Sequence, residues 1–320
     1  MKYYLAPMEG ITTYIYRSAY EHHFHNVDRY FTPFVVNKRL STREQQDLLP
    51  EHNKGMDGVP QILTNRAEDF LEVAKEIADM GYQTVNLNLG CPSGTVVAKK
   101  RGAGFLALPE ELDAFLAEIF EKCSMKISIK TRIGMEDETE WERLISIYQK
   151  YPMEELIVHP RTQKDFYKYP PRMDAYEMAE SVFDVPLCYN GELNSVEKRR
   201  ELTERFPNLD CVMLGRGILK NPGLVGEIRK SWGEAEMTEE AISKETFRSF
   251  HDEIYYGYRE IMSGDRNTLY KMKELWSYMG QSFTNPEKYM KKIRKTERLV
   301  EYECIVASLF REQELQHDAK

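Results

Sequence analysis

Apolar and polar positions follow one another along this chain in two rhythms. Short runs rich in Val, Ile, Leu, Tyr and Phe recur at residues 3–6, 30–36, 60–63, 84–89, 126–131, 156–158, 185–189 and 211–214. Each has the length and side-chain content of a β-strand. Between most of them lie stretches of helical period, at 67–80, 110–120 and 196–206; in the first, Phe70, Leu71, Ala74, Ile77 and Ala78 fall on one face. Alternating strands and helices predict a parallel sheet, because every crossover must return over the sheet and cover it. Eight such units predict a (β/α)8 TIM barrel, an α/β fold, with a doubly wound sheet as the alternative.

Beyond Trp232 the rhythm is helical only. Thr238 is placed to cap a helix that carries Phe247, Phe250, Ile254, Tyr258 and Ile261 on one side, with Glu239 and Glu240 at its positive end. Gly264 interrupts it. A second stripe joins Leu269, Met272, Leu275, Trp276, Met279 and Phe283, Asn285 and Pro286 open a third helix, and residues 300–310 suit a fourth. The expected organisation is a barrel over 1–232 and a small C-terminal four-helix bundle over 238–320, joined near 231–237. Trp276 lies on the apolar stripe, which favours core packing over contact with a ligand.

In a parallel barrel, ligands meet the carboxyl ends of the strands. Those ends carry Pro7, Met8 and Glu9, then Gln61, Asn88 with Cys91, Lys130 with Arg132, His159 with Arg161, Asn190 with Gly191 and Glu192, and Gly215 with Arg216. Polar groups at seven strand ends are more than a structural barrel needs. Asn190–Gly191 and Gly215–Arg216 set permissive glycines beside backbone amides, with Arg216 as a positive fork, which suits a phosphate monoester. In TVNLNLGCP, residues 84–92, Gly90 and Pro92 end a strand and deliver Cys91 to a turn. By itself that allows a nucleophile, a ligand or a buried bystander.

Composition narrows the partners. The 320 residues carry five cysteines without a CxxC pair, at 91, 123, 188, 211 and 304, which disfavours a disulfide framework or zinc site and suits a cytoplasmic protein. No apolar run is long enough to span a membrane and the N-terminus lacks a signal-peptide pattern. The net charge is −8, yet residues 266–298 hold nine basic against three acidic side chains. That window points to a localised anionic partner or to a solvated helix face.

APMEGIT at 6–12, Gln61, NLGCP at 88–92, KKRGAG at 99–104, IKTRIG at 129–134, VHPRT at 158–162, NGE at 190–192 and LGRG at 214–217 together resemble the tRNA-dihydrouridine synthases. The similarity runs in order over the whole barrel, and the basic helical tail matches that family's RNA-binding domain. The resemblance implies an FMN enzyme, recharged by NADPH, that reduces the C5–C6 bond of particular uridines in tRNA. It implies FMN contacts from Pro7, Met8, Glu9, Gln61, Lys130, His159, Asn190, Gly191, Glu192, Gly215 and Arg216, with Lys130 beside the pyrimidine edge of the ring. Asn88, Arg132 and Arg161 would face the substrate base and Cys91 would be the proton donor, leaving the other four cysteines as buried small hydrophobes. A rim open to a large RNA favours a monomer.

Two stretches depart from the family pattern. Pro160 stands where many members have glycine, and 165–174 (DFYKYPPRMD) doubles a proline and lacks the usual glycine. The alternatives are an FMN barrel reductase of a free pyrimidine or other small molecule, which needs no basic bundle, and a non-catalytic tRNA-binding protein, which needs no Cys91 or Lys130.

Overall fold

The computed structural model describes residues 1–36, 38–234 and 242–316. Eight parallel strands close into a barrel in sequence order: β1 (Lys2–Leu5), β2 (Arg29–Val35), β3 (Gly58–Ile62), β4 (Thr84–Leu89), β5 (Lys126–Arg132), β6 (Leu156–His159), β7 (Leu187–Tyr189) and β8 (Cys211–Leu214). Every expected strand is present, with ends displaced by two residues at most. The crossover helices bury most of the stripes that predicted them, although Leu71 and Ala78 of the first are half-buried. Ala67–Asp79 buries Phe70, Val73, Ala74 and Ile77, with Glu68 and Asp69 in its first turn to complement the helix dipole. Pro109–Lys122 starts on a proline whose missing N–H would have had no helical partner, and buries Leu112, Phe115, Leu116 and Ile119.

Inside the barrel, Tyr4, Ala6, Phe31, Val59, Ile157, Cys188, Cys211 and Met213 form one buried cluster. Each fully buried large side chain stabilises the fold by roughly 1.5–3 kcal/mol relative to exposure. Register then identifies which polar residues look inward. Asn88 pairs with Lys130 and Lys130 with Ile157, so both polar side chains share the face of an interior residue. No helix among the described residues is long and apolar enough to cross a membrane.

The chain divides into two compact units, each discontinuous in sequence. The first comprises Met1–Pro7, Asp28–Glu192 and Thr203–Met213; the second comprises Met8–Val27, Leu193–Leu202 and Leu214–Lys320. Within the second unit, helices Lys244–Ile261, Asp265–Met279, Glu287–Lys295 and Leu299–Glu312 are the four expected C-terminal helices. Phe250 meets Tyr16 and Phe24 of helix Tyr14–Phe24 edge-on, at 5.5 and 5.2 Å between centroids. Trp276 is buried and donates from its indole nitrogen to the Tyr302 hydroxyl at 2.7 Å, so it packs as its stripe predicts.

Some boundaries differ from expectation. Thr238, Glu239 and Glu240 lie outside the described residues; the first C-terminal helix is capped by Ser243, whose hydroxyl accepts the Thr246 N–H at 3.0 Å. The second stripe ends at Met279, and Phe283 is buried beyond it in an antiparallel bridge with Leu315.

Candidate active site

In β4 the alternation of TVNLNL sends Asn86 and Asn88 to one face and Val85, Leu87 and Leu89 to the other. The Asn88 side-chain carbonyl then accepts the N–H groups of Gly90 and Cys91 at 3.0 and 2.9 Å, which folds the chain sharply after the strand. The Asn88 amide donates to Gln61 Oε1, Gln61 donates to Asn86 Oδ1, and Asn86 donates to Ser128 Oγ, at 2.7, 2.7 and 2.8 Å. All four side chains are buried, so the ladder has no competing solvent and fixes each amide in one orientation.

The Cys91 turn is also braced from behind. Cys91 O accepts the Ala103 N–H at 3.1 Å. Gly102 has a left-handed φ of +55°, and a Cβ there would lie 2.9 Å from Cys91 O and 3.0 Å from Cys91 Cβ. Only glycine satisfies both the dihedral and the approach. Cys91 itself is partly buried.

On β5, beside Asn88, stands Lys130. Burial first, and the Arg132 charge second, push its ammonium down to about 8, while Cys188 and Cys91 are close enough to pull the other way. This is a cation poised to titrate near neutral pH.

Arg132, one register step on, is almost fully buried. Its Nε donates to Gly90 O at 3.0 Å, Nη1 to Thr162 O at 2.7 Å, and both terminal nitrogens to Phe166 O at 3.2 Å. It therefore latches the β4 turn to the loop after β6. Arg161, equally buried, donates to Tyr169 O at 2.6 Å and to Glu192 Oε1 at 2.6 Å. A third bond joins Arg161 Nη1 to His159 Nε2 at 3.1 Å. A guanidinium only donates, so Nε2 accepts and the neutral imidazole carries its proton on Nδ1.

On β7, Asn190 donates to Met213 O at 2.8 Å, and Gly191 follows where a Cβ would run into the Tyr189 hydroxyl. Thus Gln61, Asn88, Cys91, Lys130, Arg132, His159, Arg161, Asn190, Gly191 and Glu192 all lie at or just past strand ends of the first unit, as does Pro7.

The remaining candidates belong to the second unit. Met8 and Glu9 begin a tight turn in which Thr12 Oγ1 accepts the Met8 N–H at 2.8 Å; Gly215 and Arg216 open the short helix Arg216–Lys220. In the basic window, Lys271 Nζ donates to Gly10 O at 2.7 Å and Lys273 Nζ to Thr296 O at 2.6 Å. Lys288, Lys291, Lys292, Arg294, Lys295 and Arg298 are exposed on or just after helix Glu287–Lys295, whose apolar face buries Tyr289 and Ile293.

A barrel whose fourth strand ends in a braced Gly-Cys-Pro turn, next to an inward lysine on the fifth, narrows the comparison with known proteins. Residues 4–314 match the family model described as dihydrouridine synthase (Dus). The chain belongs to the dihydrouridine synthase family. It is 27% identical over 235 residues to a probable tRNA-dihydrouridine synthase of Staphylococcus epidermidis, covering 68% of this chain and 69% of that one. It is 24% identical over 223 residues to tRNA-dihydrouridine synthase B of Pasteurella multocida, covering 69% and 67%. Among solved structures it is similar to a 2-naphthoyl-CoA reductase complex, with a TM-score of 0.54, 9% identity and coverage of 72% of this chain and 50% of the other. That likeness is one of fold.

Set within the dihydrouridine synthase barrel, several working residues had escaped the sequence reading. Asn86 and Ser128 complete the amide ladder, and the period-two spacing of Asn86 and Asn88 was the signal for the first of them. Asp165 accepts the Thr162 N–H at 2.7 Å and pairs with Arg172, organising the loop after β6. The cysteine reading needs correction. Cys188 and Cys211 are buried, but Cys123 is only partly so and Cys304 is exposed, because the buried stripe Leu299, Tyr302, Val306 and Leu309 leaves position 304 on the other side of its helix.

Proposed function

We propose that this enzyme reduces specific uridines of tRNA to 5,6-dihydrouridine, with FMN as its resident cofactor and NADPH as the reductant. The observation that carries the reading is the Cys91 turn, locked by Asn88 and Gly102 next to the inward cation Lys130.

The chemistry of the donor set fits a flavin. Lys130 is a desolvated cation that an anionic ring edge would relieve, and His159 carries its proton on Nδ1 because Arg161 holds the other nitrogen. Gln61 and Asn190 are amides held in one orientation by Asn86, Asn88 and Met213. By resemblance Pro7, Met8, Glu9, Gly191, Glu192, Gly215 and Arg216 would complete the FMN contacts. FMN, when bound, supplies a hydride for C6 of the uracil.

The protein's own task is the proton. Negative charge that develops over C5 and O4 requires a donor at C5, and the Cys91 Sγ–H gives its proton there, leaving a thiolate that regains one from solvent. An ordinary thiol, with pKa ~8.5, is mostly protonated at neutral pH and still acidic enough to donate. Asn88, Arg132 and Arg161 border the base and hold the turns that present it to Cys91. The target carbon is inaccessible in a stacked helix, so the uridine must be turned out. Exposed cations of helix Glu287–Lys295 supply phosphate contacts, which favours RNA over a free pyrimidine. A monomer in the cytoplasm suits this reading.

The test uses FMN-loaded protein, NADPH and tRNA from a strain lacking dihydrouridine. Mass spectrometry should show uridines gaining two hydrogens with the native protein, and Cys91→Ala should lower that turnover by about 10²–10⁴ while NADPH oxidation without tRNA persists. Undiminished tRNA reduction by Cys91→Ala would remove the acid role. No reduction by the native protein would remove the assignment.

A further inference from the structure

The loop after β6 carries a group of residues that neither the flavin nor the acid accounts for. Phe166, Tyr167 and Tyr169 lie within four positions and are 40%, 45% and 60% exposed. Single exposed apolar residues are ordinary, but three aromatic rings on one loop form a patch.

The loop beneath them is rigid. Arg132 holds Thr162 O and Phe166 O, Arg161 holds Tyr169 O, and Asp165 ties Thr162 N to Arg172. Phe166 has a left-handed φ of +48°, a conformation that is strained for a phenylalanine and persists only where the surroundings impose it. The rings are therefore displayed by design of the loop rather than by fraying.

The loop is also attached to the catalytic turn. Gln163 Nε2 donates to Pro92 O at 3.0 Å, next to Cys91. Tyr167 lies against the site, its ring 5.5 Å from the Arg132 guanidinium and 5.9 Å from His159. Phe166 and Tyr169 touch no other ring among the described residues. Between the two tyrosines in sequence stands Lys168, exposed and without an ion pair among the described residues, while Lys164 pairs with Glu136.

We propose that Phe166 and Tyr169 are a stacking platform for unpaired nucleobases flanking the uridine that reaches Cys91, with Lys168 meeting the adjoining phosphate. This rests on the reading that the enzyme acts on tRNA. Flat aromatic faces interleaved with an uncompensated cation match single-stranded RNA, which offers π-faces and anionic links in alternation. A protein partner would leave Lys168 to be desolvated for no gain.

The test compares FMN-loaded native protein with Tyr169→Ala, Tyr169→Phe and Phe166→Gly, the last chosen because glycine accepts the positive φ. Tyr169→Ala and Phe166→Gly should each raise KM for tRNA about tenfold, with kcat and the melting temperature little changed, and Tyr169→Phe should behave as native. On tRNA made abasic at the nucleotides beside the target uridine, the KM of native protein should rise to that of the variants and Tyr169→Ala should lose nothing more. An unchanged KM in both truncations, or the same loss on intact and abasic tRNA, overturns the platform. Native protein that leaves tRNA unreduced overturns the activity itself, and the platform with it.

Discussion

The cations at the barrel rim and those on helix Glu287–Lys295 do opposite things. At the carboxyl ends of β5 and β6, Arg132 and Arg161 are buried and their donors are taken by Gly90, Thr162, Phe166, Tyr169, His159 and Glu192. On helix Glu287–Lys295 the cations are exposed along a face whose other side packs through Tyr289 and Ile293. Planar arginine serves the first setting, since it satisfies several fixed carbonyls at once, whereas the second is mostly flexible lysine, with Arg294 and Arg298, left to solvent. Counting positive charge along a sequence does not separate the two.

The sharpest way to break that contrast is Arg132→Ala. Four contacts to three loop carbonyls disappear together, so folding stability should fall by about 2–3 kcal/mol and tRNA turnover should collapse. Arg132→Lys should rescue little, because an ammonium cannot reproduce the fork. Thermal melts with parallel activity assays check both, and a native-like Arg132→Lys would show that charge alone matters. On the other side, Lys291→Gln with Lys292→Gln should leave stability unchanged. The pair should weaken tRNA binding about tenfold and lower the slope of log affinity against log salt by about 2. Filter binding at several salt concentrations reads this, and an unaltered slope would make the helix a solvated surface.

Lys130 is intermediate between the two classes, and its effect should be the smallest. Its ordinary value is 10.5, and burial with the Arg132 charge brings it to about 8. Below about 8 it is charged in folded and unfolded chains alike, so its burial penalty is fully present; between about 8 and 10.5 the folded chain loses the proton first and gains stability. Affinity for FMN should move the other way, falling a few-fold as pH rises past about 8. Fluorescence titration of FMN across that range tests it, with Lys130→Arg expected to flatten the dependence.

The barrel was legible because punctuation and periodicity coincide. Thr84–Leu89 ends on Gly-Cys-Pro and was bounded correctly at both ends, whereas β7 begins two residues later than its apolar run, past Pro186, which has no N–H to give the ladder. Thr238 was the expected cap of the helix that carries Phe247, whereas Ser243 caps it, because periodicity places the apolar face and not the first turn. At the site, residue types at strand ends could be read directly. Their partners could not, because Gln61 meets Asn86 across 25 positions and Arg132 meets Gly90 across 42, and such pairings exist only once the barrel closes.

The amide ladder beneath Cys91 also ties the surroundings of the thiol to the chemistry of one side chain. Side-chain amides are among the thermolabile groups of a protein, and Asn88, Gln61 and Asn86 are wired in series. Hydrolysis of the Asn88 amide would keep an oxygen for the Gly90 and Cys91 N–H groups but replace the donor to Gln61 with a carboxylate facing its oxygen. A single chemical lesion, with no change of shape in the strand, would set a negative charge beside the thiol and disfavour the loss of its proton.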